Sequence, residues 1–403
     1  MNPVRNSKNK QDYNSMSPQK QNKVSNGVKI LFTGGGTGGH IFPIIAIVRE
    51  IKKGYPRGEF QFFFLGPKDK WATSFLEKEG IKPKFILAGK IRRYFSVLAF
   101  FQNLVDILIK FPIGFFQGFW YVFFLNPDII FSKGGYGSLS AVISGRILQV
   151  PIFLHESDVS PGLANRLISR WALEIFVSFP VEKTEYFPKE KMISVGNPIR
   201  KEILGGSKEK AQKLFQLREG KPIILILGGS QGAKKINDIL ILILAQLLKD
   251  FELIHQTGWK NYREISIQSK ALLAQEFLSY YHLLPFLNEK ELAQALAASD
   301  LVIGRAGSGT IFEIAALGKP AILIPLPEAA QSHQLKNAYS YSQSGAAIVI
   351  EQVNLTPRFL LGQIKNLFIL PEILKTMAKA AQQFSRPEAS KIIANYLVEY
   401  LTQ

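Results

Sequence analysis

A buried strand that runs into a glycine-rich turn and then a helix occurs twice in the chain, and this repeat limits the possible folds more than any other feature. The first copy is residues 28–33 (VKILFT) followed by residues 34–40 (GGGTGGH), and the second is residues 222–227 (PIILIL) followed by residues 228–233 (GGSQGA). Continuous apolar runs of this kind are typical of parallel strands that are covered on both faces. The repeat therefore predicts an α/β protein with two Rossmann-like domains, each built on a doubly wound parallel sheet.

Short apolar segments alternate with helical patterns through the rest of both halves. Strands are predicted in the first half at residues 60–65, 84–87, 128–132, 152–155, 175–179 and 192–195, and in the second half at residues 252–255, 282–287, 301–303, 321–324 and 347–350. Residues 357–403 have helical patterns only. Because ligands bind at the carboxyl ends of the strands in such sheets, two sheets that face each other would form a cleft lined by both glycine loops.

The boundary between the domains is predicted where Gly196 and Pro198 break the pattern. This gives an N-terminal domain of residues 27–197 and a C-terminal domain of residues 198–403, which includes the terminal helices. Residues 1–26 have almost no apolar side chains, so we expect a disordered basic and polar tail rather than a signal peptide. The alternative is a single nucleotide-binding fold followed by an unrelated second domain.

The chain is strongly basic, with 49 Lys and Arg against 31 Asp and Glu and a formal net charge of +18. An excess of this size implies an anionic partner, which could be nucleic acid, an anionic membrane surface or a phosphorylated substrate. The absence of cysteine excludes disulfides, thiolate nucleophiles and cysteine-ligated metal sites.

The most apolar stretch, residues 94–125, overlaps a basic segment, residues 90–95 (KIRRYF). Asp106, Lys110 and Pro112 interrupt it, so no uninterrupted run reaches the ~20 residues that a membrane-spanning helix needs. Helices with an apolar, aromatic face and flanking Lys and Arg suit the interface of an anionic bilayer. We therefore predict a peripheral protein, with packing of these aromatics on the sheet as the alternative.

The first glycine loop has the features of a phosphate site. Glycines let the backbone approach an anion closely, and the free N–H groups of the following helix favour negative charge. The loop also fits the dinucleotide pattern G-x-G-x-x-G, but the second strand ends in residues 65–68 (LGPK) without the acidic residue that would bind a ribose, which counts against NAD. Neither loop continues as an ATPase P-loop. His40 is either a general base or a histidine that only hydrogen-bonds the loop.

The second half contains further polar groups at predicted strand ends. Residues 304–310 (GRAGSGT) could hold a diphosphate at a helix N-terminus. Glu313 could accept hydrogen bonds from ribose hydroxyls, or it could merely complement the helix dipole. Gln334 and Asn337 can both donate and accept, which suits sugar hydroxyls. Arg200 or Arg305 would neutralise a leaving diphosphate, and the chain has neither a D-x-D triplet nor a histidine pair with metal-ligand spacing, so no metal is required.

These motifs occur together in one order, and their combination resembles the lipid-linked N-acetylglucosamine transferases of glycosyltransferase family 28. The resemblance runs from about residue 28 to the C-terminus and is carried by residues 34–40, 134–138 (GGYGS), 155–156 (HE), 196–200 (GNPIR), 228–233, 304–313 and the pair Gln334 and Asn337. It implies the GT-B fold and transfer of GlcNAc, with inversion, from UDP-GlcNAc to the muramyl 4-hydroxyl of undecaprenyl-pyrophosphoryl-MurNAc-pentapeptide (lipid I). The product would be lipid II for peptidoglycan synthesis, made without a cofactor. The alternatives are another GT-B UDP-sugar transferase that acts on a glycolipid acceptor, and a non-catalytic basic binding protein.

The resemblance also implies roles for individual residues. His40 matches the family's proposed base, and the diphosphate of the acceptor would contact Gly35, Gly36, Thr37, Gly135 and Tyr136. UDP-GlcNAc would contact Thr37, Gly38, Gly39, Asp158, Arg200, Ser230, Leu287, Ser308, Gly309, Thr310, Ile311, Phe312, Glu313 and Gln334. Asp158 departs from the family pattern, since many members have asparagine there. The implied location is the cytoplasmic face of the bacterial cell membrane, as a peripheral protein that binds the anionic membrane surface, belongs to a cell-wall synthesis complex and binds no nucleic acid.

Overall fold

Two parallel sheets organise the part of the chain that the computed structural model describes, residues 27–35, 38–89, 97–184, 186–229, 232–327 and 332–402. The predicted tail, residues 1–26, lies outside these ranges. The strands of the first sheet are β1 (Val28–Thr33), β2 (Phe60–Gly66), β3 (Ile81–Phe85), β4 (Ile129–Ser132), β5 (Ile152–Glu156), β6 (Glu174–Val177) and β7 (Met192–Ser194). They are parallel and lie in the spatial order β3-β2-β1-β4-β5-β6-β7.

The second sheet repeats this arrangement. Its strands are β8 (Ile223–Leu227), β9 (Glu252–Gln256), β10 (Tyr281–Leu284), β11 (Leu301–Gly304), β12 (Ala321–Leu323) and β13 (Ala347–Val349). They are parallel in the order β10-β9-β8-β11-β12-β13. In both sheets the chain starts in the middle, moves to one edge and then returns to the other side, which is the doubly wound topology. The predicted fold class is confirmed.

Most helices lie between strands in sequence, and the last three follow β13. Together they pack on both faces of each sheet. In the first half they are α1 (Gly38–Gly54), α2 (Lys70–Lys78), α3 (Val97–Val105), α4 (Phe111–Leu125), α5 (Leu139–Ile147) and α6 (Leu163–Ile168). In the second half they are α7 (Lys208–Phe215), α8 (Lys234–Asp250), α9 (Trp259–Leu272), α10 (Gln275–Leu278), α11 (Glu289–Ala298), α12 (Ser308–Ala316), α13 (His333–Ser342), α14 (Pro357–Ile369), α15 (Pro371–Phe384) and α16 (Ala389–Thr402). Alternate residues of β1 belong to different core clusters, Ile30 and Phe32 to one and Leu31 to the other, because successive side chains of a strand point to opposite faces.

The third strand lies a few residues before its predicted position. It was expected at residues 84–87, and the structure forms it at Ile81–Phe85. Only alternate residues of this strand are shielded, and Pro83 lies within it. This pattern belongs to an edge strand, because proline has no N–H to donate to a second neighbour. A search for continuous apolar runs therefore missed its first residues.

The last two helices pack on different sheets. Phe384 at the end of α15 contacts Phe312 and Tyr341 of the second half. Helix α16 instead returns to the first half, where Tyr396 packs on Phe153 and Phe176 and donates a hydrogen bond to Glu174 at 3.1 Å. By its packing the final helix is part of the first domain. The domain boundary near residue 197 remains a prediction.

Residues 100–125 form one continuous helical segment in which a single π-helical turn, Asp106–Lys110, joins α3 to α4. The segment has 26 residues, and in an 18-residue stretch of it the mean hydropathy is 1.5 and 17% of the residues are buried, so by length and composition it could cross a membrane. The sequence has no uninterrupted apolar run of this length, but the helix continues through Asp106, Lys110 and Pro112 and reaches it. Asp106 and Lys110 form an ion pair four residues apart at 2.5 Å. Pro112 lies just after the π-helical turn, inside the continuous helix, where proline cannot donate a backbone hydrogen bond.

One face of α4 is fixed to the first domain, and the opposite face is exposed. Gly114, Gly118 and Val122 are its buried residues, and a side-chain carbon at either glycine would collide with Leu87 or crowd Ser140. Along this segment the exposed large side chains are Phe100, Phe101, Leu104, Val105, Ile107, Leu108, Ile109, Ile113, Phe116, Trp120, Tyr121, Phe123 and Phe124. The alternative that these aromatics pack on the sheet therefore fails for most of them.

A buried network next to β9 keeps His255 neutral. Asn237 donates to the carbonyl of Thr257 at 3.1 Å, so its Oδ1 accepts from His255 Nε2 at 3.0 Å. Nδ1 of His255 then accepts from the hydroxyl of Tyr281 at 2.8 Å. With both ring nitrogens used in this way, burial lowers the pKa of His255 to about 3.

We expect His255 to contribute to acid destabilisation. An unfolded histidine has a pKa near 6.5, above the folded value, so as the pH falls through 6.5 the unfolded chain binds a proton that the folded chain does not, and stability is lost. The loss from this residue at pH 5, relative to pH 7, is about 2 kcal/mol. Urea unfolding of wild type and His255→Gln at both pH values measures it. The variant should lose less stability on acidification, and an equal loss in both proteins would contradict the assignment.

Candidate active site

The carboxyl ends of the two sheets face each other across a cleft. Its volume is about 640 Å³, which is within the range for small-molecule sites. Both domains line it, and the lining includes Gly38, Gly39, His40, Lys133, Gly135, Glu156, Asp158, Arg200, Gly229, Leu287, Ser308, Gly309, Thr310, Glu313 and Gln334. Most of the residues predicted to bind substrate therefore meet in one place. Gly36, Thr37 and Ser230 lie outside the described residues.

Two glycine turns hold the imidazole of His40 at the floor of the cleft. His40 lies in the first turn of α1, directly after the first glycine loop. A carbon atom attached to Gly35 would lie 3.0 Å from Nδ1 of His40, and one attached to Gly135 would lie 3.3 Å from its Nε2. Gly135 also has a φ of +81°, which side chains other than hydrogen disfavour. Glycine at both positions therefore leaves the space that the ring occupies.

His40 is unprotonated at neutral pH. Burial, and secondly the positive charge of Lys133, lower its pKa to about 4. An unprotonated imidazole can accept a proton, as a general base must. A bound diphosphate carries negative charge, which would offset the positive charge of Lys133 and raise the pKa of His40 towards neutrality.

A buried polar cluster follows β4 and β5. Lys133, which is 2% exposed, donates to Nδ1 of His155 and to Oγ of Ser157, both at 2.6 Å. Burial lowers the pKa of Lys133, and burial together with the Lys133 charge lowers the pKa of His155. The cluster thus combines a buried amine with a neutral histidine.

Glu156 and Asn165 fix the turn at Gly135. Oε2 of Glu156 accepts from Asn165 at 2.6 Å, and its Oε1 accepts from the backbone N–H of Asp158 at 2.9 Å. Oδ1 of Asn165 accepts from the backbone N–H of Gly135 at 3.2 Å. Burial, and then the charge of Asp158, raise the pKa of Glu156. These bonds tie the glycine turn beside His40 to the end of β5.

Asp158 and Asn337 connect the two domains at the cleft. Asn337 donates to Oδ1 of Asp158 at 2.7 Å, and its own Oδ1 accepts from the backbone N–H of Val159 at 2.9 Å. Asn337 is fully buried. The interpretation of Asn337 as a ligand for sugar hydroxyls was therefore wrong, because both ends of its amide are used between the domains.

The N-terminus of α12 faces the cleft with groups that suit an anion. Ser308, Gly309 and Thr310 line the cleft there. Among the described residues, the buried Oγ of Ser308 has no hydrogen-bond partner. Ile311 and Phe312 are in the core instead, so any contact that they make with a substrate would have to come from backbone atoms.

Arg200 and Glu313 form an ion pair in the wall of the cleft. Nη2 of Arg200 lies 3.3 Å from Oε1 of Glu313, and the guanidinium stacks 3.9 Å above the ring of Phe42. Nε of Arg200 is buried without a hydrogen-bond partner among the described residues and lies 3.9 Å from Glu289. Burial raises the pKa of Glu313, and the charge of Arg200 opposes this. A cation with an unused donor is suited to a diphosphate.

The remaining predicted residues differ in how they lie relative to the cleft. Leu287 lines it, and Gln334 does so while its Oε1 accepts from the backbone N–H of Leu326 at 3.0 Å. Tyr136 is 39% exposed and is not part of the described lining. Arg305 donates to the carbonyls of Ile324 and Pro325. Of the two arginines considered for the diphosphate, Arg200 is therefore the one at the cleft.

The sequence analysis missed Lys133. This residue could have been found, because a lysine directly after a buried strand, at the carboxyl edge of a parallel sheet, has to face the site or a buried partner. The polar residues that follow β5, including Ser157 and Asn165, were expected to face the cleft, and both line it. Within the described ranges, no group of three His, Asp or Glu side chains is arranged to hold a metal.

Family models and known proteins match nearly the whole chain. The N-terminal domain model of glycosyltransferase family 28 matches residues 30–177, and the C-terminal domain model matches residues 223–393. A Bacillus cereus protein named UDP-N-acetylglucosamine–N-acetylmuramyl-(pentapeptide) pyrophosphoryl-undecaprenol N-acetylglucosamine transferase 2 is 38% identical over 372 residues, which covers 92% of this chain and 99% of that protein. A Treponema denticola transferase with the same name, without the number, is 33% identical and covers 93% and 98%.

Solved structures of the same architecture include proteins of different activity. The crystal structure of MurG from Acinetobacter baumannii superposes with a TM-score of 0.70 at 25% identity and covers 93% of this chain and 99% of that one. A UDP-GlcNAc 2-epimerase from Neisseria meningitidis, bound to UDP-GlcNAc, gives a TM-score of 0.63 at 16% identity over 92% and 100% of the two chains. At that identity the likeness to the epimerase concerns the fold alone.

Proposed function

The chain belongs to glycosyltransferase family 28, and from this premise we propose that it transfers GlcNAc from UDP-GlcNAc to the muramyl 4-hydroxyl of lipid I, giving lipid II for peptidoglycan. The enzyme is a hexosyltransferase. The observation that carries the proposal is the similarity to relatives over almost their full length, since their names specify both the donor and the acceptor.

The cleft supports a direct displacement. The muramyl 4-hydroxyl oxygen attacks C1 of GlcNAc while the bond from C1 to the UDP oxygen breaks, and the hydroxyl proton passes to His40. UDP leaves towards the N-terminus of α12 and Arg200, whose positive charges stabilise the diphosphate. Glu313 accepts hydrogen bonds from the ribose, and Leu287, Gln334 and Asp158 complete the donor side.

The first domain supplies the acceptor side. Helix α1 begins at the glycine loop, has no acidic residue in its first turn and presents Gly38 and Gly39 to the cleft. A helix N-terminus without nearby carboxylates favours a diphosphate, whereas a neutral diacylglycerol would gain nothing from it. This feature favours lipid I over an uncharged glycolipid acceptor.

The test is a transfer assay with purified protein, labelled UDP-GlcNAc and a soluble lipid I analogue, with and without chelator. We expect lipid II analogue to form at the same rate in both conditions. A parallel reaction with UDP-glucose and diacylglycerol tests the glycolipid alternative. Product in that reaction alone would overturn the proposal.

We further propose that the exposed face of residues 100–125 binds the cytoplasmic membrane peripherally, where lipid I is available. The contacts of Gly114 and Gly118 with the first domain favour a helix that lies along the protein over one that crosses the bilayer. Aromatic side chains on the opposite face suit the bilayer interface. The basic segment, residues 90–95, lies outside the side chains that the structure describes.

Removing two exposed aromatics should weaken membrane binding. Trp120 and Phe124 stack at 5.3 Å and are 55% and 73% exposed. In the double variant Trp120→Ser/Phe124→Ser we expect co-sedimentation with vesicles of anionic and zwitterionic lipid to weaken by about tenfold or more, because apolar area no longer enters the interface. Val353→Ser, at an 83% exposed site of the second domain, is the matched control. Equal binding of the double variant and the control would refute the assignment.

A further inference from the structure

Two separate hydrogen-bond relays connect Lys133 to the segment that joins the domains. In the first, Lys133 Nζ donates to Nδ1 of His155 at 2.6 Å, and Nε2 of His155 donates to the carbonyl of Gly196 at 3.1 Å. In the second, Lys133 donates to Oγ of Ser157 at 2.6 Å, and that hydroxyl donates to Oδ1 of Asn197 at 3.2 Å. The relays start at one buried amine and end on consecutive residues.

The acceptors at the far ends set the direction of both relays. The carbonyl of Gly196 can only accept, so the single proton of the neutral His155 ring is on Nε2, and its buried Nδ1 needs a donor, which is the amine of Lys133. In the same way, Ser157 accepts from the amine and has its own hydrogen left for Asn197. Without Lys133, Nδ1 of His155 would be a buried acceptor without that donor and the hydroxyl of Ser157 could rotate, so both contacts with the connecting segment would be weakened.

The connecting segment leads straight to the donor side of the cleft. Asn197, Pro198, Ile199 and Arg200 all line the cleft. Gly196 has a φ of +91°, and its N–H donates to the carbonyl of Val177. A displacement of the backbone at Gly196 and Asn197 would carry the guanidinium of Arg200 away from its position above Phe42 and beside Glu313.

We propose that Lys133 is a positioning residue that fixes the connecting segment through His155 and Ser157 and thereby holds Arg200 in place for the diphosphate of the donor. The inference rests on the proposed function for the identity of the donor. The relays themselves exist in the protein whatever its substrate, so the two can fail separately.

The first experiment needs no substrate. Lys133→Met keeps the length of the side chain and removes the amine. Lys319→Met is the control, because Lys319 is a partly buried lysine that donates to the carbonyls of Ala297 and Ser299, in the second domain. We expect amide hydrogen exchange at residues 195–200 to be about fivefold or more faster in Lys133→Met and unchanged in Lys319→Met. Unchanged exchange in the Lys133 variant would overturn the inference even if wild type transfers GlcNAc.

The second experiment separates donor from acceptor. In Lys133→Met we expect the KM for UDP-GlcNAc to rise by about tenfold, with the KM for the lipid I analogue within about twofold of wild type. A rise confined to the acceptor would instead mean that Lys133 binds the acceptor directly. Ser157→Ala removes one relay only, so it should cause a smaller rise that adds nothing in the Lys133→Met background; additive effects would contradict a shared relay. If wild type transfers nothing, the proposed function fails and the exchange result still decides the relay.

Discussion

His40→Gln should lower kcat for GlcNAc transfer by about 10²–10⁴-fold, the usual size of a general-base contribution. Glutamine keeps a hydrogen-bonding side chain at the end of the glycine loop but cannot accept the proton of the attacking hydroxyl. Because the ring lies against the glycine turns at Gly35 and Gly135 and its proposed role is in the chemical step, we expect UDP-GlcNAc to bind with a Kd within about threefold of wild type. Single-turnover transfer and equilibrium titration of the donor measure the two effects.

The matched control is His282→Gln. His282 is a histidine near the start of β10, where it is paired with Glu252 at 2.7 Å, and it is outside the described lining of the cleft. Its replacement should leave kcat unchanged. Transfer by His40→Gln at nearly the wild-type rate would remove His40 as the base and leave it a loop-supporting residue.

Glu313→Ala should have the second large effect. We expect the Kd for UDP-GlcNAc to rise by at least about tenfold and the Kd for the lipid I analogue to stay unchanged. A carboxylate that accepts from two ribose hydroxyls makes two charge-assisted hydrogen bonds, each worth about 1.5–3 kcal/mol. The change also frees Arg200 from its ion pair, which would strengthen the attraction to the diphosphate and offset part of the loss.

Glu313→Gln separates these two contributions. The amide keeps one acceptor oxygen but loses the charge, so its donor Kd should lie between those of wild type and Glu313→Ala. Titration with UDP and with uridine separates the contribution of the ribose to binding from that of the diphosphate. Unchanged binding of uridine in Glu313→Ala would contradict the ribose contact.

The sequence predicted the fold well because the signals were local and strong. The all-buried strand β8 and the glycines after β1 and β8 identify a parallel sheet and its ligand edge without any knowledge of tertiary contacts. The predicted position of β3 was shifted along the chain, because only alternate side chains of an edge strand are shielded. The packing of helix α16 on the first sheet was not predicted, because no local pattern tells an amphipathic helix which sheet it packs on.

The site was predictable as a location and less so as a set of contacts. His40, Glu313 and the N-terminus of α12 follow from their positions at strand ends. The role of Asn337 could not be predicted in this way, because Asp158 and Val159, its two partners, are distant in sequence. The contacts of Lys133 depend on the pairing of β4 with β5, because this pairing brings the amine to His155 and Ser157.

The chain passes between the two domains at residues 196–200 and again between α15 and α16. A side-chain carbon on Gly196 would collide with Cβ of Arg386, so the two passages touch. Two covalent links that meet at one place act as a pivot: the halves can turn about it, but they cannot draw apart while α16 stays on the first sheet. Opening the cleft to exchange UDP for UDP-GlcNAc is then a rotation about this pivot rather than a separation of the domains.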